Sequence, residues 1–160
     1  MTTKSAGYIQ KAGLVESREP KTEKIVYRRP GFGGILTDKE MDEKIASALR
    51  KARDEQKLTR AELAPLLGLA EQVYGRYERS VSKLHVTQLI HLSEILGFAP
   101  DDLLFAAAPH LWGETPEEAS KRRRLIKLIE DLPGDTLNTV LTLMEAILRI
   151  QQSVEPSSST

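Results

Sequence analysis

The sequence contains no cysteine among its 160 residues. Disulfides, thiol nucleophiles and thiolate metal sites are therefore excluded, and the composition fits a reducing compartment. Long apolar runs are also lacking: none approaches the roughly 20 residues that a membrane-spanning helix needs. Aromatic residues make up only 5% of the chain, which favours an aliphatic core of packed helices. We therefore expect a soluble, cytoplasmic protein that is largely helical and has no membrane partner.

Catalytic and metal-binding patterns are missing as well. The three histidines, His85, His91 and His110, lack the spacing of metal ligands. The glycine-rich segment 31–34 lacks the lysine and the following helix of a phosphate-binding loop. No nucleophile stands beside a base in a recognisable motif. The sequence therefore predicts no enzyme, no metal site and no cofactor.

An excess of either charge is also lacking, because 23 Lys and Arg balance 23 Asp and Glu. The distribution is nevertheless uneven. Residues 1–36 carry seven basic and three acidic side chains, a net charge of +4, and show no sustained periodicity. This segment is predicted to be a mobile basic arm.

Two features of the arm leave alternatives open. Arg28 and Arg29 could enter a minor groove, as basic arms of DNA-binding domains do, or belong to a solvated tail. Lys24–Arg29 is strand-like and ends at the turn residue Pro30. Such a strand could pair with another element, including its own copy in a dimer.

Capping residues and apolar periodicity predict five helices between residues 37 and 106. Thr37 with Glu40 and Thr59 with Glu62 are capping boxes, each followed by apolar residues at helical spacing. Gly97 is expected to end the fourth helix. The predicted helices are 38–56, a short one from 59 that stops at Gly68, 70–79, 86–96 and one that opens at Pro100.

The second and third helices have the pattern of a helix-turn-helix. Leu63 and Leu67 are expected to face inward, Gly68 to permit the reversal, and Tyr74 and Tyr77 to anchor the third helix. Such an arrangement presents one face of the third helix to a major groove. The residues predicted on or near that face are Glu71, Gln72, Val73, Gly75 and Arg76.

At these positions the sequence resembles the Xre family of phage repressor and Cro-like regulators, over about residues 44–104. The matching residues are Arg53, Thr59 to Ala64, Gly68-Leu69, Arg76 to Arg79, Leu89, Ile95 to Gly97 and Asp102 to Leu104. The resemblance implies an all-α fold, with a five-helix lambda-repressor-like DNA-binding domain at 37–106. It also implies an ion pair between Arg53 and Glu78 that locks the first helix to the third.

The resemblance also implies roles for single residues. Gln72 is expected to bond adenine through two groups, and Val73 to touch a thymine methyl. Arg76 is expected to bind guanine or phosphate, and Glu71 could accept from cytosine. Arg60 lies where the family contacts backbone phosphate.

Near these residues lie one further candidate contact and three unusual helix positions. Lys83, just beyond the third helix, is a weaker candidate for a phosphate contact. Ala70 replaces the usual Ser or Thr cap and Ser80 the usual Gly, each at a cost on the order of 1 kcal/mol. Pro65 is expected to shorten or distort the second helix.

The carboxy-terminal part is predicted to be a helical extension over 114–152, followed by a disordered tail at 153–160. Its last helix has an apolar stripe at helical spacing. The stripe consists of Leu137, Val140, Leu141, Met144, Ile147 and Leu148. Dimerisation is the preferred interpretation, and packing on the domain of the same chain is the alternative. The basic run 121–124 is interpreted as a solvated helix face, with contact to flanking DNA as the alternative.

The sequence as a whole predicts a bacterial or phage transcriptional regulator that is cytoplasmic, binds double-stranded DNA as a homodimer and is nucleoid-associated when bound. The carboxy-terminal 47 residues are too few for a separate small-molecule sensor domain, so control is expected through abundance, a regulatory protein partner or the arm. The alternative is a protein-interaction or antitoxin-like module that uses the same fold.

Overall fold

The computed structural model describes residues 3–19 and 24–154 of the chain. Within these ranges the elements in chain order are α1 (Thr3–Lys11), β1 (Val15–Arg18), β2 (Ile25–Arg28), α2 (Asp38–Glu55), α3 (Arg60–Leu66), α4 (Glu71–Glu78), α5 (Val86–Leu96), α6 (Pro100–Ala107), a 3-10 helix (Pro109–Leu111), α7 (Pro116–Glu130) and α8 (Gly134–Val154). None of the described helices is long and apolar enough to cross a membrane. The chain divides into two compact units, the first ending at Ala119 and the second beginning at Ser120.

The amino-terminal segment holds regular structure where the sequence led us to expect a mobile arm. β1 and β2 pair antiparallel, from Val15 opposite Arg28 to Arg18 opposite Ile25. β2 coincides with the predicted strand, and its partner is β1 of the same chain. α1 and β1 were missed because neither short segment has a long apolar period. Residues 1–2 and 20–23 of the predicted arm lie outside the described residues.

Two capping boxes fix where α2 and α3 begin. Thr37 Oγ1 accepts the Glu40 N–H at 3.2 Å, and Glu40 Oε2 accepts the Thr37 N–H at 2.8 Å. Thr59 and Glu62 make the same two bonds, also at 3.2 and 2.8 Å. Because each box satisfies two backbone donors at a helix start, the sequence predicted both starts correctly.

α3 is short, and the chain reverses directly after it. The helix has seven residues and ends at Leu66, with Pro65 in its last turn, where the missing proline N–H removes one bond to the preceding turn. Gly68 then adopts a left-handed conformation with φ +67°. The Gly68 N–H donates to the Pro65 carbonyl at 3.0 Å, and the Leu69 N–H donates to the Ala64 carbonyl at 2.9 Å. This reversal brings α4 back against α3.

The core of the first unit is aliphatic and surrounds one tyrosine. Its largest fully buried side chains are Tyr74, Leu49, Leu63, Leu92, Leu96 and Leu103. Burying a side chain of this size stabilises the fold by about 1.5–3 kcal/mol. These residues come from α2, α3, α4, α5 and α6, so all five helices share one core.

The ends of α5 and α6 follow the predicted signals. α5 ends at Leu96, where Gly97 adopts a left-handed φ of +71° and donates to the Ser93 carbonyl at 2.8 Å. α6 begins at Pro100, and the Asp102 carboxylate accepts the Ala99 N–H at 3.1 Å. The five helices α2 to α6 therefore form the predicted all-α arrangement.

The second unit contains α8 and the part of α7 from Ser120 onward. α7 itself begins in the first unit, where Thr115 Oγ1 accepts the Glu118 N–H at 3.1 Å. α8 begins at Gly134, one residue before the predicted cap Asp135, and extends to Val154. The first two residues of the tail predicted at 153–160 therefore belong to α8, and residues 155–160 lie outside the described residues.

Candidate nucleic-acid interface

α4 is anchored on one side and exposed on the other. Tyr74 is fully buried, and Tyr77 packs partly buried against the same core. Glu71, Gln72 and Val73 are exposed in the first turn of the helix. The buried residues fix the helix, so its outer face has a defined orientation on the surface of the first unit.

The outer face of α4 is an arc of four residues. Gln72, Val73, Arg76 and Arg79 are all exposed, and residues three or four positions apart lie side by side on a helix. Within the described ranges, no carboxylate lies within 4 Å of Arg76 or Arg79. The arc therefore offers one amide, one apolar side chain and two uncompensated guanidinium groups.

Gly75, predicted on or near the exposed face, is buried. It lies at the flank of the arc, four positions before Arg79. A Cβ at this position would lie 2.9 Å from Nη1 of Arg79. The Arg79 side chain therefore lies across the helix over Gly75, one turn back from its own Cα.

Arg53 and Glu78 lie together, as the resemblance implied. Arg53 Nε donates to Glu78 Oε1 at 2.6 Å, and its Nη2 donates to Oε2 at 3.2 Å. The Arg53 side chain is 8% exposed and the Glu78 side chain is not exposed at all. This bidentate pair joins α2 to α4 inside the domain.

Arg60 shares the same carboxylate, which the sequence analysis did not foresee. Its Nε donates to Glu78 Oε2 at 2.6 Å, and its side chain remains 31% exposed. Burial alone would raise the pKa of the Glu78 carboxyl, but hydrogen bonds from Arg53 and Arg60 outweigh burial and lower that pKa. The two Nη groups of Arg60 make no hydrogen bond to the described residues, so they can still meet a phosphate from outside.

Lys83 is compensated by two carboxylates at the start of α2. Its Nζ lies 3.2 Å from Asp38 Oδ2 and 3.8 Å from Asp42 Oδ2. The hydrogen bond to Asp38 raises the pKa of Lys83. The Lys83 side chain is 66% exposed, so the ammonium group still faces solvent. The two carboxylates nevertheless offset part of its charge, which weakens its attraction for a phosphate.

Asp38 also connects the start of α2 to the β1–β2 hairpin. Arg28 of β2 forms ion pairs with both Asp38 and Glu19, the latter at 2.7 Å. The buried Glu19 carboxylate also accepts the Asp38 N–H at 3.2 Å. Arg28, which was considered for a minor groove, is therefore engaged inside the first unit.

Unusual backbone conformations bracket α3 and α4. Lys57, before α3, has φ +57°, and Ser80, after α4, has φ +55°. Both are left-handed conformations that glycine adopts without steric cost. α4 begins without a side-chain cap, because Ala70 offers no hydrogen-bonding group. The expected departures at Ala70 and Ser80 are thus visible in the geometry.

Arg79 is the residue of this surface that the sequence analysis missed as a candidate contact. Its membership of the family motif does not by itself indicate an exposed position. Its spacing of seven from Gln72 and three from Arg76 is the signal that places the three on one face.

No group of His, Cys, Asp or Glu in the described parts of the chain is arranged to hold a metal ion.

Residues 49–103 match the family model described as helix-turn-helix. A solved structure, the clp gene regulator ClgR from Corynebacterium glutamicum, aligns with a TM-score of 0.40 and 18% identity over 73% of this chain and 96% of that one. No curated protein sequence matches the chain significantly.

The family match covers α3, the reversal and α4 together with the helices that bury them. It identifies the same element that the capping boxes, the left-handed Gly68 and the exposed arc delimit. It also points to a DNA-binding regulatory protein rather than to an enzyme. Residues 49–103 form a helix-turn-helix domain of the phage repressor and Cro-like (Xre) type, the DNA-binding domain of transcriptional regulators.

Proposed function

We propose that this protein is a transcriptional regulator that binds double-stranded DNA sequence-specifically, with α4 in the major groove. The observation that carries the proposal is the exposed arc of Gln72, Val73, Arg76 and Arg79 on a helix whose inner side is locked into the core. A helix fits the major groove of B-DNA, where each base pair shows a distinct set of donors and acceptors.

Base recognition is assigned to the first turns of α4. Gln72 can bond adenine N6 and N7 through its amide, and Val73 can contact a thymine methyl. Arg76, free of carboxylate partners among the described residues, can bond guanine O6 and N7. Glu71 can accept from cytosine N4, at the cost of repelling nearby phosphates.

Phosphate contacts are assigned to the cations around the arc. Arg79 lies at the end of α4 with an uncompensated guanidinium. Arg60 keeps its Nη groups available while Glu78 holds its Nε. Lys83 must share its charge with Asp38 and Asp42, so we rank its contribution below those of the two arginines.

A homodimer is the second part of the proposal, with α8 as the contact between copies. Five of the six predicted stripe residues are exposed by 37–55% of their surface, namely Leu137, Leu141, Met144, Ile147 and Leu148; the sixth is the half-buried Val140. Such a row of aliphatic side chains on one helix is typical of surfaces that a partner covers. Two copies would present two α4 helices to paired half-sites.

The DNA proposal is tested by fluorescence anisotropy on the promoter region of the protein's own gene and on random DNA of equal length. We expect tighter binding to the promoter, and a loss of roughly 1–3 kcal/mol, about 5- to 150-fold, for Gln72→Ala. Arg76→Lys separates two roles, because it removes a bidentate guanine contact and keeps a phosphate contact. The control is Gln10→Ala on the exposed face of α1. Equal affinity for both DNAs, unchanged in the variants, refutes sequence-specific binding.

The dimer is tested on the full chain by light scattering. The wild type should show twice the chain mass of 17.9 kDa. Leu141→Glu combined with Leu148→Glu should give the monomer mass, because charge in an apolar contact is costly. Thr139→Glu with Ala146→Glu, outside the stripe on the same helix, is the matched control and should remain dimeric. A stripe variant that stays dimeric contradicts the role of α8.

A protein-interaction module is the second candidate function. It is favoured by the pairing of Arg60 with Glu78 and of Lys83 with Asp38, which lowers the free positive charge near α4. Under this alternative, a regulatory protein partner would bind the α4 arc. Binding of promoter and random DNA with equal affinity would favour it.

A further inference from the structure

A cleft of about 720 Å³ opens in the first unit, on elements outside the five-helix core. Its walls come from the end of α1, the segment after β2, the 3-10 helix and the loop that leads into α7. The charged and aromatic side chains of its lining include Lys11, Arg29, Phe32, His110 and Glu114. Four segments that are distant in sequence thus converge on one cavity large enough for a small organic molecule.

The charge of the cleft favours an anion. Lys11 and Arg29 line it, and neither has a carboxylate within 4 Å in the described parts of the chain. Glu114 is the acidic side chain among the lining residues. Two cations against one carboxylate leave a net positive charge, which an anionic group would balance.

An unpartnered nitrogen provides an independent observation. His110 Nδ1 is buried and has no hydrogen-bond partner in the described structure. It lies beside Gly31, at which a Cβ would be only 3.3 Å away. Buried polar nitrogens are nearly always hydrogen-bonded, so this atom lacks a partner that a bound molecule could supply. Burial, and then the positive charge of Arg29, lower the pKa of His110, and a bound anion would oppose that effect.

Aromatic groups shape the same wall. The rings of Phe32 and His110 meet edge to face, with centroids 6.4 Å apart. Pro30 and Pro116 add flat apolar surface to the lining. The cleft thus combines apolar walls with a few converging polar groups, the usual composition of a small-ligand site.

We infer that this cleft binds a small organic anion through a carboxylate or phosphate group. Arg29 and Lys11 contact the anionic group, and the His110 ring turns to bring Nδ1, which is closed to solvent in its present orientation, to the ligand. This small-molecule site goes beyond the proposed DNA binding. Arg29 directly follows Arg28, which holds the hairpin to the start of α2, so the ligand would sit next to the attachment of the hairpin.

The test is a titration of the full chain with inorganic phosphate and, separately, with citrate, at constant ionic strength set by chloride. Nitrogen-resolved NMR follows the His110 ring, and calorimetry gives the affinity. We expect saturable binding of at least one anion, with shifts at His110 and a rise in its pKa. A response to phosphate alone identifies a phosphate group, and a response to citrate alone identifies a carboxylate.

Variants make the result specific to the cleft. Arg29→Gln, an exposed residue outside the core, should weaken binding at least 10-fold, and Lys11→Gln should weaken it in the same direction. Arg18→Gln, an exposed arginine of β1 that does not line the cleft, should leave binding unchanged. Non-saturable shifts with both anions, or equal losses in Arg29→Gln and Arg18→Gln, would overturn the site. DNA affinity is measured separately, so failure of this site leaves the test of DNA binding intact.

Discussion

Glu78 is the residue on which the interface depends most. Its buried carboxylate bonds Arg53 from α2 and Arg60 from the start of α3. One side chain therefore ties three helices together. A neutral replacement would leave the largely buried guanidinium of Arg53 with only the exposed Asp54 carboxylate, 2.7 Å from its Nη1, as counter-charge, and breaking a buried ion pair by removing one partner is costly.

We expect Glu78→Gln to lower the free energy of unfolding by about 3–5 kcal/mol. The reason is the loss of the buried counter-charge of Arg53, together with the loss of the ion pair to Arg60. Urea denaturation followed by circular dichroism measures the change. Glu71→Gln, on the exposed side of the same helix, is the control and should stay within about 0.5 kcal/mol of the wild type. A similar small change in Glu78→Gln would show that the pair contributes little.

The stability lost in Glu78→Gln should depend on pH. The pKa of Glu78 is lowered in the folded state from its ordinary value of 4.5, so its contribution to stability is present above that ordinary pKa and is lost as pH falls through the folded value. The stability difference between wild type and Glu78→Gln should therefore shrink on acidification below about pH 4.5. Urea titrations at several pH values check this, and a difference independent of pH would contradict the lowered pKa.

Glycine in place of Ser80 is expected to make the folded protein more stable. Its φ of +55° is left-handed, so Ser80→Gly removes steric cost at the end of α4 and should stabilise the protein by about 0.5–1 kcal/mol, net of the extra chain entropy of glycine. Thermal unfolding measures the effect. Ser82→Gly, at a position without positive φ, should destabilise slightly; a gain there as large as at Ser80 would remove the conformational explanation.

At the scale of elements, sequence signals were sufficient where they acted through neighbouring residues. The capping boxes at Thr37 and Thr59, and Gly97 at the end of α5, predicted helix ends because each bonds backbone within a few positions. α1 and β1 carry no such signal and were missed. The pairing of Arg60 with Glu78, across 18 residues, and the burial of Gly75 depend on how the helices pack, which local patterns do not specify.

The loop before α7 gives an element-scale prediction. A Cβ at the buried Gly113 would lie 2.7 Å from the backbone nitrogen of Ala119, so the first turn of α7 packs directly on this glycine. We expect Gly113→Ala to destabilise the first unit by about 1–3 kcal/mol, because backbone must shift. The rate of hydrogen exchange at the α7 amides measures this destabilisation. Gly33→Ala, where nothing lies within 4 Å, is the control, and equal protection in the two variants would refute the close packing.

At the scale of the molecule, zero net charge means that DNA binding must rest on few local cations. Each phosphate contact contributes about 0.9 to the slope of log affinity against log salt. If the proposed dimer binds, Arg79→Ala should lower that slope by about 1.8, one contact from each copy, and by about 0.9 if a monomer binds. Anisotropy over a salt series measures the slope. Arg149→Ala on α8 is the control, and an unchanged slope in Arg79→Ala excludes Arg79 as a phosphate contact.

The left-handed Lys57 and Ser80 on either side of α3 and α4 have a consequence for evolution. Proteins of marginal stability tolerate few destabilising changes, and a change of operator specificity requires substitutions on the α4 arc, some of which will destabilise the fold. Glycine at Lys57 or Ser80 would add stability without touching the arc. These two positions are therefore permissive sites, at which a single substitution would widen the range of recognition sequences that α4 can explore.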